Sequence, residues 1–182
     1  MNNTAYILAY QRPGFVSEIT AEAERLFQAR GVPLARVPSH VAVVLPAASG
    51  FTLYQAIATG VQDFGVADLT DPRVTTDLIE TIDVYLPTMD RAIAWAQHQI
   101  GDAYAWSDIE ESAIDELVPA FLAINGSYPK AKTFDCSAFC MGVLLAGGRD
   151  PGLQPGVVTP YVLTECARAL SDDLAACVAA LH

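Results

Sequence analysis

Thr133-Phe134-Asp135-Cys136-Ser137-Ala138-Phe139 is a turn that opens an apolar helix, which runs to Leu145 and is closed by Gly147-Gly148. Ninety-six residues before its cysteine stands an apolar segment of the opposite kind. His40-Val41-Ala42-Val43-Val44-Leu45 is rich in β-branched residues and is stopped by Pro46, which predicts a strand. Ser49-Gly50 turns that strand into a second run, Phe51 to Ala56, so the two read as a hairpin. Ala5 to Gln11 and Thr81 to Leu86 predict further strands, ended by Pro13-Gly14 and Pro87. Gly60 to Pro72 has no clean period and reads as loop with one short strand at most.

The helices read from their caps. Ser17 caps Glu18 to Arg30, closed by Gly31, and Thr88 caps a helix through Ile100, ended by Gly101. Ser107-Asp108-Ile109-Glu110 is a capping box ahead of Ile114, Leu117, Phe121 and Leu122, and Asn125-Gly126 and Pro129 break that helix. Pro155-Gly156 and Thr159-Pro160 lead into a last helix from Tyr161. Strands early and helices late predict an α+β fold in a single domain, 1–182.

Composition narrows the partners. A net charge of −11 argues against nucleic acid and against an anionic membrane surface, both of which need surplus Lys and Arg. The longest apolar stretches, Val41 to Ala48 and Met141 to Ala146, fall short of the roughly 20 residues that span a bilayer, so no transmembrane helix is expected. Met1-Asn2-Asn3-Thr4 carries no basic region, which disfavours a secretory signal and predicts a cytoplasmic protein. Cys136, Cys140, Cys166 and Cys177 all lie in the last quarter and read as reduced thiols. Cys140, one turn after Cys136, has no C-x-x-C spacing and reads as core; no metal and no cofactor is expected.

A thiol at a helix N-terminus faces backbone N–H groups outside the helical ladder and the positive end of the helix dipole, both of which favour thiolate. Cys136 is therefore the candidate nucleophile. A histidine opening a strand presents a ring nitrogen from a rigid platform, which makes His40 the candidate base. Asp135 is the expected cap of the cysteine helix. His98 and His182 receive no role.

Gly101-Asp102-Ala103-Tyr104-Ala105-Trp106, followed by Phe134-Asp135-Cys136-Ser137, resembles the paired motifs of the NlpC-type cysteine peptidases, a branch of the papain-like superfamily. The histidine here precedes the cysteine, the order of the circularly permuted branch that includes YiiX-like proteins and relatives of lecithin retinol acyltransferase. The resemblance spans roughly Ala5 to Leu170 and rests on the cysteine and histidine motifs. It implies a permuted papain-like fold, a small antiparallel sheet packed against helices with the nucleophile at a helix N-terminus. It also implies that Cys136 attacks, His40 takes its proton and Tyr104 lies on the oxyanion or substrate side.

Permuted members often carry an acidic or polar residue on the strand after the histidine, and the matching residue here is Gln55, where most have Glu. Glutamine orients the imidazole by accepting a hydrogen bond, as a neutral residue does in Cys/His/Asn sites. Ser107 to Lys132 is then a lid over the cleft or a family insertion. The expected activity is a cysteine hydrolase cleaving amide bonds of a cell-wall peptide or lipid-modified substrate. The alternatives are an acyltransferase or thioesterase on acyl lipids, or a non-catalytic ligand-binding descendant, for which Gln55 is the motive.

Overall fold

A computed structural model describes residues 3–13, 25, 29, 31–104, 133–153 and 158–179. The expected helices over Glu18 to Arg30 and from Ser107 to Leu122, with Trp106, the segment to Lys132, Pro155-Gly156 and His182, lie outside the described residues, apart from Arg25 and Ala29.

The architecture is α+β, built on a five-stranded antiparallel sheet. Its strands are β1 (Thr4–Tyr10), β2 (His40–Pro46), β3 (Phe51–Ile57), β4 (Gly60–Val66) and β5 (Leu78–Tyr85), in the order β4-β3-β2-β1-β5. The expected hairpin is present, with Pro46 opposite Phe51 and Val43 opposite Tyr54. A one-turn helix α1 (Pro72–Thr75) precedes β5, and helix α2 (Met89–His98) follows it. A short parallel pair, β6 (Ala103–Tyr104) with β7 (Thr133–Phe134), leads into α3 (Cys136–Ala146), and α4 (Pro160–Ala179) ends the described chain.

The reading of Gly60 to Pro72 as loop is corrected. Residues 60–66 form a full seven-residue strand in register with all of β3. It sits at the sheet edge with Gln62 and Phe64 half-buried and Asp63 and Gly65 exposed, so no clean apolar period marks it, and its strand form comes from the β3 ladder. The Thr88 cap is corrected in its chemistry. Thr88 holds the N-cap position of α2, but its hydroxyl donates across the molecule to the Ala146 carbonyl at 2.9 Å, at the end of α3.

β2 is buried on both faces. By the strand alternation, Val41, Val43 and Leu45 face one way, and with Ile7, Tyr54 and Ala56 they pack on Phe139, Cys140, Val143 and Leu144 of α3. Ala42 and Val44 face the other way, with Leu8, Tyr10, Leu53 and, from α1, Val74. On the α3 side α4 packs on β5 and β1 and completes the layer over the sheet, while α2 packs on α3, its Trp95 ring 5.7 Å from Phe139.

Candidate active site

α3 starts where its sequence says. Asp135 is extended (φ −77°, ψ 173°) and its carboxylate accepts from the Ala138 N–H at 2.6 Å, a helix N-cap. Cys136 is thus the first helical residue, buried at 5% exposure, with Sγ 3.9 Å from Ser137 Oγ. Cys140, one turn later, is fully buried in the core, and burial pushes its thiol well above the usual range.

The two ends of α3 fix its place along the sheet. At its C-terminus Gly147 lies against Leu86, and its carbonyl accepts from Thr88 N. Leu86 N in turn bonds Asn3 O, so this end sits beside the start of β1 and the end of β5. The eleven-residue helix spans roughly 16 Å and seven-residue β2 roughly 20 Å, so Cys136 comes to the opposite end, where β1 finishes at Tyr10 and β2 begins at His40.

A second set of bonds reaches the same end. Val61 N donates to Asp102 O and Gly101 N donates to Val61 O, both at 2.9 Å. Gly60 (φ +105°) makes this approach possible, because a Cβ there would stand 2.5 Å from the Asp102 carbonyl oxygen. The segment so pinned continues into β6, whose Tyr104 pairs with Phe134 of β7, two residues before Cys136. The two motifs singled out in the sequence are therefore neighbours. Of Tyr104 the description covers the backbone.

His40 is the first residue of β2 and is 7% exposed. Its Nε2 lies 3.4 Å from Gln55 Oε1, and the same oxygen accepts from Arg12 Nη2 at 3.0 Å. A guanidinium only donates, so the Gln55 atom that it meets is the oxygen, and an oxygen facing Nε2 requires that nitrogen to carry the proton. The lone pair of the neutral ring is then on Nδ1, as proton abstraction needs. Burial, then the Arg12 charge, lowers the His40 pKa to about 3 against the opposing pull of the Gln55 hydrogen bond, so the resting ring is neutral.

Strand alternation sets His40 and Gln55 on the sheet face with Tyr10, Ala42 and Leu53, whereas Val41, Tyr54 and Ala56 meet α3. The structure brings His40 and Gln55 into contact. It brings Cys136 and the Tyr104 backbone together through β6 and β7 at the same end of the sheet, with Cys136 in the apolar cluster on the α3 face and His40 on the opposite face by the strand alternation.

Residues missed in the sequence surround the histidine. Tyr10 pairs with His40 in the ladder, with rings 6.0 Å apart, and burial pushes its hydroxyl up to about 12. Arg12 stacks its guanidinium 5.2 Å over the Tyr10 ring, and its backbone N–H donates to Ser39 Oγ at 3.1 Å. The available signal was position: both lie at the end of the strand that pairs with the start of β2. Among the described residues no three His, Cys, Asp or Glu side chains group as a metal site, and no helix is long and apolar enough to cross a membrane. No protein-family model matches the chain, and no curated protein matches its sequence.

Proposed function

We propose that the protein is a cysteine hydrolase of the permuted papain-like kind, acting on amide bonds of a peptide, peptidoglycan fragment or acyl-lipid substrate. The observation that carries this reading is the His40–Gln55 contact at the sheet end to which the N-terminus of α3 delivers Cys136. A neutral amide oxygen holds the ring through Nε2 and leaves Nδ1 as the base, the division of labour that thiol chemistry requires.

Nδ1 of His40 takes the Cys136 thiol proton as Sγ attacks the carbonyl carbon, across the margin of the sheet. The oxyanion develops at the start of α3, where the Cys136 amide and the helix dipole stabilise it. The C–N bond then breaks, the leaving amine takes the proton back from His40, and a thioester remains. Water, deprotonated by the same ring, cleaves the thioester to acid and thiol; an alcohol or amine in its place gives acyl transfer. The resting ring is neutral, so no ion pair stands before substrate binds, and His40 takes the thiol proton only as the developing negative charge on sulfur and oxygen raises its proton affinity.

The test is alkylation by iodoacetamide across pH, located by peptide mass spectrometry. At neutral pH Cys136 is expected to react about tenfold faster than Cys140, Cys166 and Cys177, with the part of the excess that His40 supplies lost in His40→Ala and the part that the start of α3 supplies retained. Four equal rates, unchanged in His40→Ala, would overturn the proposal and leave the ligand-binding reading, which the Gln55 substitution motivates.

A further inference from the structure

We infer that Arg12 is a positioning residue that sets the tautomer of His40 by fixing which end of the Gln55 amide faces the ring. The inference rests on the proposed role of His40 for its significance, though not for its test. A glutamine amide is nearly symmetric in shape and opposite in chemistry at its two ends. With Oε1 toward His40, Nε2 must donate and Nδ1 holds the lone pair. Rotated by half a turn, the amide NH₂ would face Nε2, which would then accept, and the ring proton would move to Nδ1, the atom the reaction needs bare.

His40 itself cannot choose between these states, because either tautomer satisfies one hydrogen bond to the amide. Arg12 can. Its Nη2 reaches Gln55 Oε1 at 3.0 Å and has protons only to give, so the rotated amide would set an NH₂ against a guanidinium, donor against donor. A glutamate at this position has no donating end and would need no such guard; a glutamine does. Arg12 is held for the task by two independent contacts, its backbone N–H on Ser39 Oγ at 3.1 Å and its guanidinium over the Tyr10 ring. Ser39 immediately precedes His40, and its own N–H bonds Tyr10 O at 2.8 Å, so guard and histidine are fixed to the same strand end.

The experiment is long-range ¹H–¹⁵N correlation of the histidine rings in the intact chain at pH 7.5, with His40 identified by the signals missing in His40→Gln. The wild type is expected to show Nε2 protonated and Nδ1 bare. Arg12→Met is expected to move His40 to a mixed or Nδ1-protonated pattern, Arg12→Lys to keep the wild-type pattern, and Arg12→Met/Gln55→Glu, read at a pH high enough to keep its ring neutral, to restore Nε2–H with Nδ1 bare. Rescue by a carboxylate that has no second end is an outcome that a merely structural role for Arg12 does not produce. Arg12→Gln takes the place of Arg12→Met if the latter does not fold. A wild-type Nδ1–H tautomer, or an unchanged Nε2–H pattern in Arg12→Met (or in Arg12→Gln in its place), overturns the inference. Equal cysteine alkylation rates beside the expected tautomers would instead sink the hydrolase reading and leave Arg12's role standing.

Discussion

At the scale of single residues, the site turns on a histidine kept uncharged. Three groups set its state: the protein around it, which excludes water; Arg12, which opposes a second positive charge; and Gln55, which offers an acceptor without a countercharge. Gln55→Glu changes only the last of these. A carboxylate beside the ring favours imidazolium and, through it, thiolate, so the acid limb of Cys136 alkylation is expected to move down by about 1–3 pH units. An alkylation profile identical to wild type would mean that the ring and the sulfur do not communicate. Tyr10 tests the same pocket from the side of stability. Among the described residues its hydroxyl is the buried side-chain polar atom without a hydrogen-bond partner. Tyr10→Phe is therefore expected to leave urea stability unchanged or raise it by about 1 kcal/mol, since the deleted group is not repaid by any bond.

Helix α3 and the strands under it show what a sequence reveals of its own elements. The Asp135 cap, the apolar run and the Gly147 stop are local, and all three were legible; so was the β2–β3 hairpin, with its β-branched run and its turn at Ser49-Gly50. β4 was not, because an edge strand owes its form to the neighbour that pairs with it. The Thr88 hydroxyl bond to Ala146 was hidden for a related reason, since it joins residues 58 positions apart. Of the candidate site, Cys136 and His40 were named from their motifs and Gln55 from the family resemblance, and the structure puts His40 and Gln55 in contact. Arg12, Tyr10 and Ser39 were not named, because the pairing of β1 with β2 is what makes them neighbours of the histidine. Nor does the alternation within β2 announce which face α3 will cover. The fit of that helix is testable at Gly142, where a Cβ would stand 2.2 Å from the Trp95 ring of α2. Gly142→Ala gains about 1 kcal/mol in helix propensity and forces a rigid indole to move, for which overpacking costs of about 1–3 kcal/mol are usual. A net loss of stability is expected, with a changed Trp fluorescence; a stabilised variant would show that α2 and α3 are more loosely fitted than their contacts imply.

For the molecule as a whole, the buried neutral histidine couples folding to pH in a window of its own. His40 has a pKa of about 3 in the folded protein against an ordinary value of 6.5, so as pH falls the unfolded chain takes up the proton first. The stabilisation is complete above pH 6.5 and is lost progressively as pH falls from 6.5 toward 3, at a limiting slope of about 1.4 kcal/mol per pH unit. Two other effects belong to lower pH. Asp71, held at about 2 by its hydrogen bonds from Arg73, loses its contribution below the ordinary carboxylate value of 3.8. Protonation of the chain's 21 acidic side chains, which relieves the repulsion of a net charge of −11, also lies near and below pH 4. The window from pH 6.5 to 5 lies above the ordinary carboxylate range, which makes it the place to read the histidine's contribution. Urea unfolding at pH 7, 6 and 5 is therefore expected to show wild type losing about 1–2 kcal/mol across the range and His40→Gln, which keeps an amide beside Gln55 but cannot titrate, losing much less. Parallel slopes for the two proteins would mean that the folded chain admits a proton at His40, which would return the site to the ion-pair chemistry that burial and Arg12 now oppose.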